Sequence, residues 1–434
     1  MLLSLQFLFA FAILTLLIKY LTRKSLHPLS WAELILVLAL KTGMGCLYGW
    51  LFLTKYGGDD TWIIHQDTLN EWENLIRHPD QFFIYEMDIR QYVQDMGWKD
   101  GLVYFRMKLE KALINKPLGI FNFYSQGNYY INVIAFTFFS FWGSYWLYQI
   151  LARILPNYKQ LSFILLFLYP PALFWLSGIR SDAILFLFFS LFVSRLYLLK
   201  YENARKGNWW LVGLAVLGMA IIKASFTILL LIPALAFWLS GSRKPAGSSA
   251  KPNARIFGWV FSLAALIFFG SALLPAPFNF PQAVVRVQQE FFELDGNTRI
   301  ELPALSTGIG SYIRNLPAAL DNIFLRPYPW EARGILQFGM VAQNIFILCL
   351  IGAVLLRRFP GRAALLPYAF FWLLFSFSIS FYLSIGYTIP FPGAVIRYRV
   401  IPEMLLVWML MVGLLNGRKS HYDFFYVYKN RVDS

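Results

Sequence analysis

Long apolar runs follow one another along most of this chain and leave it one kind of environment. They fall at 2–18, 31–54, 129–151, 160–177, 182–199, 209–224, 226–241, 256–274, 336–356, 364–386 and 400–416. Each approaches or reaches the roughly 20 residues a helix needs to cross the hydrocarbon core of a bilayer. The hydrophobic residues are continuous, not alternating, and in hydrocarbon only a helix or a closed barrel satisfies its own backbone. Eleven membrane-spanning helices are therefore expected from these runs. Composition agrees. Charged residues are 14% and hydrophobic residues 58%, where a soluble domain carries about 25% charged. The predicted fold class is all-α: a polytopic transmembrane helical bundle, one domain over 1–434, with two large, partly helical outer-face loops at 55–128 and 275–335.

The net charge of +15 fits nucleic-acid binding or a cytoplasmic charge bias, and its distribution favours the second. Lys19, Arg23 and Lys24 follow the first run, Arg357, Arg358 and Arg362 the ninth, and Arg418 and Lys419 the last. Similar clusters lie at 153–159, 200–206 and 243–255, with few acids among them. The positive-inside rule places all of these in the cytoplasm, and no nucleic-acid partner is expected. The 55–128 loop holds 11 acids against 8 bases and is read as outside, with the N-terminus out and the C-terminus in. The first run lacks a small-residue cleavage site and reads as a retained helix, not a signal peptide. Cys46 and Cys349 sit inside apolar runs, which offers no disulfide framework and predicts core positions. Residues 242–255 have the composition of a flexible linker, and the Tyr- and Phe-rich tail from His421 that of an interfacial segment. The stretches 105–114 and 280–292 have helical spacing with one apolar face, suited to the plane of the interface.

Against this background a few polar residues stand out. Tyr56-Gly57-Gly58-Asp59-Asp60 puts two adjacent carboxylates just past the second run. The composition suits a solvated turn; at a water–lipid boundary either acid is also a candidate general base. Arg397-Tyr398-Arg399 precedes the last run on the side where basic residues are scarce. Guanidinium forks match phosphate bidentately, with ion pairing or snorkelling as the competing use. Lys223 lies at the tight junction of the sixth and seventh runs, a position where a cation is a functional candidate by default. Ser177-Gly178-Ile179-Arg180-Ser181-Asp182 joins the fourth and fifth runs, and Arg180 and Asp182 are expected to pair with each other. Asp60, His65 and Asp67 offer oxygen and imidazole ligands for a divalent cation, at a spacing that matches no strong metal signature. Lys41, in mid-span, either pairs across the bundle or reaches a cavity. There is no Walker loop, dinucleotide fingerprint, zinc spacing or Gly-x-Ser-x-Gly elbow, which disfavours ATP-driven transport and serine-type acyl transfer.

Three segments in this order resemble motifs of the GT-C superfamily of polytopic glycosyltransferases. Tyr56-Gly57-Gly58-Asp59-Asp60 is similar to the acid motif of the first large outer loop. Tyr169-Pro170-Pro171 through Ser177-Gly178-Ile179-Arg180-Ser181-Asp182 resembles the proline-then-Ser-Gly hairpin of bacterial members. Val395-Ile396-Arg397-Tyr398-Arg399 through Pro402 resembles their late basic-aromatic-basic segment. Here the acid motif follows the second apolar run, not the first.

The resemblance implies an enzyme of the bacterial cytoplasmic (inner) membrane that uses a polyprenyl-phosphate sugar as donor. The acceptor would be an envelope glycan, lipid or protein, with membrane lipid as surroundings and at most a divalent cation as cofactor. It implies catalytic roles for Asp59 and Asp60, pointing to Asp59, the first acid after the glycines, as the base, and substrate or phosphate binding by Arg397, Tyr398, Arg399, Lys223, Arg180 and Asp182. In such a transfer the phosphate leaves as an anion, so its growing charge needs holding. The acceptor hydroxyl needs a base in line with the anomeric carbon, and the single displacement inverts it. Two rivals predict different chemistry. An envelope-polysaccharide polymerase or ligase would lean on outer-face arginines, and a lipid-linked sugar flippase or transporter on discontinuous helices and inverted repeats. No repeat is visible in the sequence.

Overall fold

The computed structural model describes residues 2–84, 87–202, 207–240, 250–296, 298–356 and 369–416, and among them every regular element is helical. The chain forms two compact units, Met1–Thr227 and Ile228–Ser434. The first holds α1 (Leu2–Thr22), α2 (Trp31–Tyr56), α3 (Asp60–Arg77), α4 (Ile89–Ser125), α5 (Tyr129–Ile154), the short α6 (Lys159–Phe163) and α7 (Pro170–Trp175), and α8 (Ser181–Tyr201). Helix α9 (Gly207–Leu239) begins in the first unit and ends in the second. The second unit continues with α10 (Ala250–Gly270), α11 (Phe280–Phe292), α12 (Ile309–Phe324), α13 (Ile335–Leu356), α14 (Ala369–Thr388) and α15 (Pro392–Asn416).

Among the described residues, eight helices are long and apolar enough to cross a membrane: α1, α2, α8, α9, α10, α13, α14 and α15. The chain is a multi-pass membrane protein, all-helical among the described residues. The eleven expected spans differ from these eight for three reasons. Residues 129–151 do form a helix, α5, but Asn132, Thr137, Ser140 and Ser144 interrupt its apolar sequence, and all four are buried. It packs most extensively against α8. Residues 160–177 are not one helix. A π-helical stretch, Ile164–Leu168, follows α6, and Tyr169 turns extended (φ −63°, ψ 116°) before Pro170, as the residue ahead of a proline favours. The sixth and seventh runs form one 33-residue element, α9, broken at Lys223 (φ −150°, ψ 89°).

Helix α2 lies close against its neighbours because two of its residues have no side chain. A Cβ on Gly45 would meet the Ser177 carbonyl oxygen at 2.5 Å, and one on Gly49 the Tyr129 ring at 2.1 Å. Small residues permit such approaches between membrane helices. Outside the spanning helices, α3 and α4 pack together and are tied by Lys111–Asp67 (2.8 Å) and Lys116–Glu71 (3.1 Å). The helix expected at 105–114 is part of the 37-residue α4, which is broken at Gly97 (φ 82°). The amphipathic stretch at 280–292 is α11, capped by the Asn279 side chain accepting from the Gln282 N–H at 2.9 Å.

Cys46 is half-buried and Cys349 is exposed on α13, not in the core. Residues 242–249 of the linker, 364–368 of the tenth run and the tail from His421 lie outside the described residues.

Candidate functional site

The acid pair sits where α2 ends and α3 begins. Gly57 (φ 68°) and Gly58 (φ 101°) both take left-handed backbone, and the Gly58 N–H reaches back to Phe52 O at 3.0 Å. Glycine enters that region at no steric cost. The chain then starts α3 with Asp59 as its cap, Oδ1 accepting from the Thr61 N–H at 2.9 Å. Asp59 is thus a helix cap, as turn composition anticipates, but its second oxygen has a different partner. Oδ2 accepts from Arg180 NH1 at 2.7 Å and from the Tyr48 hydroxyl at 3.4 Å.

Arg180 organises the cluster. Its other terminal nitrogen donates to Asp60 Oδ2 at 2.5 Å, its Nε lies 3.7 Å from Asp182 Oδ2, and NH1 also donates to Tyr48 Oη at 2.8 Å. The expected Arg180–Asp182 pair is therefore the longest of three contacts, and the acid motif supplies the other two. The Arg180 side chain is 4% exposed, while that of Asp60 is 62% exposed. Burial works against the guanidinium charge, but the fields of Tyr48, Asp182, Asp60 and Asp59 outweigh it and raise its pKa above the ordinary arginine value. The group is a permanent cation that holds three carboxylates in place.

The turn that presents Arg180 is itself braced. Thr61 Oγ1 donates to Ile179 O at 3.1 Å and hydrogen-bonds Tyr129 Oη at 2.8 Å. Lys41, buried in α2, donates to Ser140 Oγ at 3.0 Å, and Ser140 Oγ donates to Leu176 O at 2.6 Å. Lys41 thus serves the 176–180 turn from behind.

Two residues near this cluster escape sequence reasoning. Arg106 and Glu110, one turn apart on α4, form an ion pair at 3.5 Å. Arg106 NH1 also donates to Ile221 O at 2.6 Å and approaches Ile222 O at 3.4 Å. The break at Lys223 interrupts the helical ladder at this point, and a cation at a helix C-terminal end is favourable. Burial raises the Glu110 pKa above the ordinary carboxylate range, and Ser181, Arg106 and Lys223 only partly offset this. The available signal was the i, i+4 placement of an acid and a base on an amphipathic helix, which is common on plain solvated faces.

In the second unit, Arg397-Tyr398-Arg399 lies within α15, not in a loop before it. Arg399 is 1% exposed and Glu403 0%. Arg399 Nε pairs with Glu403 Oε2 at 2.7 Å, NH2 donates to Asn344 Oδ1 at 2.5 Å, and NH1 donates to Ile323 O. Gln343 Nε2 donates to the other Glu403 oxygen. The guanidinium expected to grip phosphate is committed on every side to the protein. Arg397 and Tyr398 are half-buried; Arg397 donates to Tyr398 Oη at 2.8 Å and lies 4.6 Å over its ring. Glu403, which sequence reasoning passed over, is the residue that holds Arg399 inside the bundle.

Asp60, His65 and Asp67 do not converge. On a helix His65 is turned roughly 140° from Asp60, and Asp67 lies roughly 10 Å along the axis. Asp67 pairs with Lys111, and His65 packs edge-on against Trp62 and Tyr129, with burial lowering its pKa. Among the described residues no group of three or more His, Cys, Asp or Glu side chains is placed to hold a metal ion.

These features define a class: a multi-pass helical membrane protein with a carboxylate–arginine cluster set between the end of one spanning helix and the start of another. No family model, no curated protein and no solved structure matches the chain.

Proposed function

We propose that this protein is an integral-membrane glycosyltransferase of the bacterial cytoplasmic membrane. It transfers a sugar, with inversion, from a polyprenyl-phosphate donor to an envelope glycan, lipid or protein acceptor on the outer face. The observation that carries this reading is the Asp59–Asp60–Arg180 arrangement. Two adjacent carboxylates at a helix start share one buried guanidinium, yet only Asp60 extends largely into solvent. A pair built this way separates two tasks. Asp59 caps α3 and fixes the geometry; Asp60 meets the acceptor and takes its proton. The acceptor oxygen attacks the anomeric carbon, the bond to phosphate breaks, and the phosphate leaves with the electron pair. A cation then holds the departing charge, and Lys223 is the residue assigned to that work.

The test is transfer by purified protein in liposomes supplied with polyprenyl-phosphate sugars. Asp60→Asn is expected to lower transfer by about 10²–10⁴, the contribution of a positioned base. Full activity in both Asp59→Asn and Asp60→Asn would overturn the carboxylate mechanism. A second reading, a lipid-linked sugar flippase, is favoured by the break in α9, since discontinuous helices line transport sites. Translocation of the lipid-linked sugar without formation of a glycosidic bond would establish it.

A further inference from the structure

Helix α8 carries a cation that its surroundings barely answer. Arg195 lies six residues, about 9 Å, before the end of α8 and is half-buried. Among the described residues its guanidinium makes one hydrogen bond, from NH1 to Asn208 Oδ1 at 3.4 Å. Its Nε is buried with no partner. The acids of these elements are committed elsewhere. Between Tyr129 and Thr227 the sequence has two, Asp182 and Glu202. Asp182 belongs to the Arg180 cluster, about 20 Å back along α8, and Glu202 pairs with Arg153 at 2.6 Å. Helix α5, which packs most extensively on α8, contains no acid. A guanidinium so poorly matched in a spanning helix is costly.

The partner across from Arg195 adds a second donor. Asn208, at the start of α9, turns its carboxamide oxygen toward the guanidinium, and its amide nitrogen still has hydrogens to give. Trp209 and Trp210 follow, both exposed, and such rings settle at headgroup level. Lys200, Arg205 and Lys206 surround the same connection in sequence, with Glu202 the one acid among them.

We infer that Arg195 and Asn208 bind the headgroup phosphate of an anionic phospholipid in the cytoplasmic leaflet, with Trp209 and Trp210 marking the interface beside it. The guanidinium fork and the amide N–H supply the charge-assisted hydrogen bonds that a phosphate oxygen accepts. The long bond to Asn208 is a small loss in exchange. Basic sites between spanning helices on the cytoplasmic side suit this chemistry, and the neighbouring basic residues favour an anionic lipid over a zwitterionic one. The lipid then serves as counter-ion to α8 and holds the start of α9 against it. This site lies at the end of α8 opposite Arg180, and the inference does not depend on sugar transfer.

A ligand that binds the native state alone stabilises it, so the thermal unfolding midpoint of the full chain is the measurement. The protein is purified in a non-ionic detergent and supplied with phosphatidylglycerol, phosphatidylcholine or inorganic phosphate. Phosphatidylglycerol is expected to raise the midpoint by roughly 2–4 °C, and the other two to raise it little. Arg195→Gln is expected to abolish that response. Without added lipid the same variant is expected to melt no lower than the wild type, because it removes a charge that no acid balances. Arg195→Lys, which keeps the charge and loses the fork, is expected to retain part of the response. Arg153→Gln, at the same end of the bundle, is expected to retain all of it. A full response in Arg195→Gln, or its equal loss in Arg153→Gln, would overturn the site in favour of a general charge effect. An equal deficit of Arg195→Gln with and without phosphatidylglycerol would reduce Arg195 to a structural partner of Asn208. Equal stabilisation by inorganic phosphate or by phosphatidylcholine would likewise overturn the assignment to an anionic lipid.

Discussion

Two arginines show how differently the same side chain is used. Arg180 holds carboxylates that face water at least in part, whereas Arg399 is sealed in the second unit with Glu403, Asn344 and a carbonyl. Removing one partner of a buried pair strands the other charge, at a cost of about 3–5 kcal/mol. Arg399→Ala is therefore expected to lower the thermal unfolding midpoint strongly, and the double replacement Arg399→Met with Glu403→Leu to recover much of the loss. Arg397→Ala, at a half-buried residue that donates to its neighbour Tyr398, is expected to lower that midpoint less. Equal midpoints for Arg397→Ala and Arg399→Ala would contradict this division. The sequence displayed both arginines as one motif, because what distinguishes them is the direction each faces. Residues 397 and 399 are two apart on a helix and so point about 200° away from each other. That contrast appears only once the segment is known to be helical. Arg180 was legible as a candidate, and so was its pairing with Asp182, but not its contacts with Asp59 and Asp60, which lie some 120 positions earlier.

At the level of elements, apolar runs predicted the spanning helices well wherever a run was uniformly apolar. They failed where polar residues turned inward, as in α5, and where prolines or a single residue interrupted the ladder, as at Tyr169 and Lys223. Hydropathy registers how apolar a segment is, not whether its neighbours are lipid or protein. The cluster depends on how these elements meet, and α2 provides a test. It approaches α5 at Gly45 and Gly49, which lack a Cβ, and the tyrosine whose ring fills the space at Gly49, Tyr129, hydrogen-bonds Thr61 through its hydroxyl beside the acid pair. Gly49→Ala is expected to destabilise by about 1–3 kcal/mol, as overpacking does, and to lower transfer by displacing α3. Gly43→Ala, on the same helix with nothing within 4 Å of the added Cβ, is expected to be neutral or slightly stabilising. A shared effect on both would mean that helix propensity, not the close approach to Tyr129, governs the response.

For the molecule as a whole, the eight apolar helices and the charge distribution make a joint demand. Basic residues flank α9 on both sides: Lys200, Arg205 and Lys206 before it, and Arg243, Lys244 and Lys251 after it. If α9 crossed once, one of these groups would lie outside, against the positive-inside bias. Both groups stay inside if the chain reverses at the Lys223 break, where the backbone leaves helical geometry. That reversal would also put Lys223 on the same side as the loop containing Asp59 and Asp60, as the sugar-transfer reading requires. Single cysteines at Asn203→Cys and Ser248→Cys, in a background lacking Cys46 and Cys349, test it with a membrane-impermeant maleimide. Both positions are expected to resist labelling in intact spheroplasts and to react in inside-out vesicles. An Ala224→Cys variant is expected to show the opposite pattern. Labelling of Asn203→Cys and Ser248→Cys from opposite faces would make α9 a single crossing, put the charge bias in conflict with the helix count, and remove the common outer face on which the sugar-transfer reading depends.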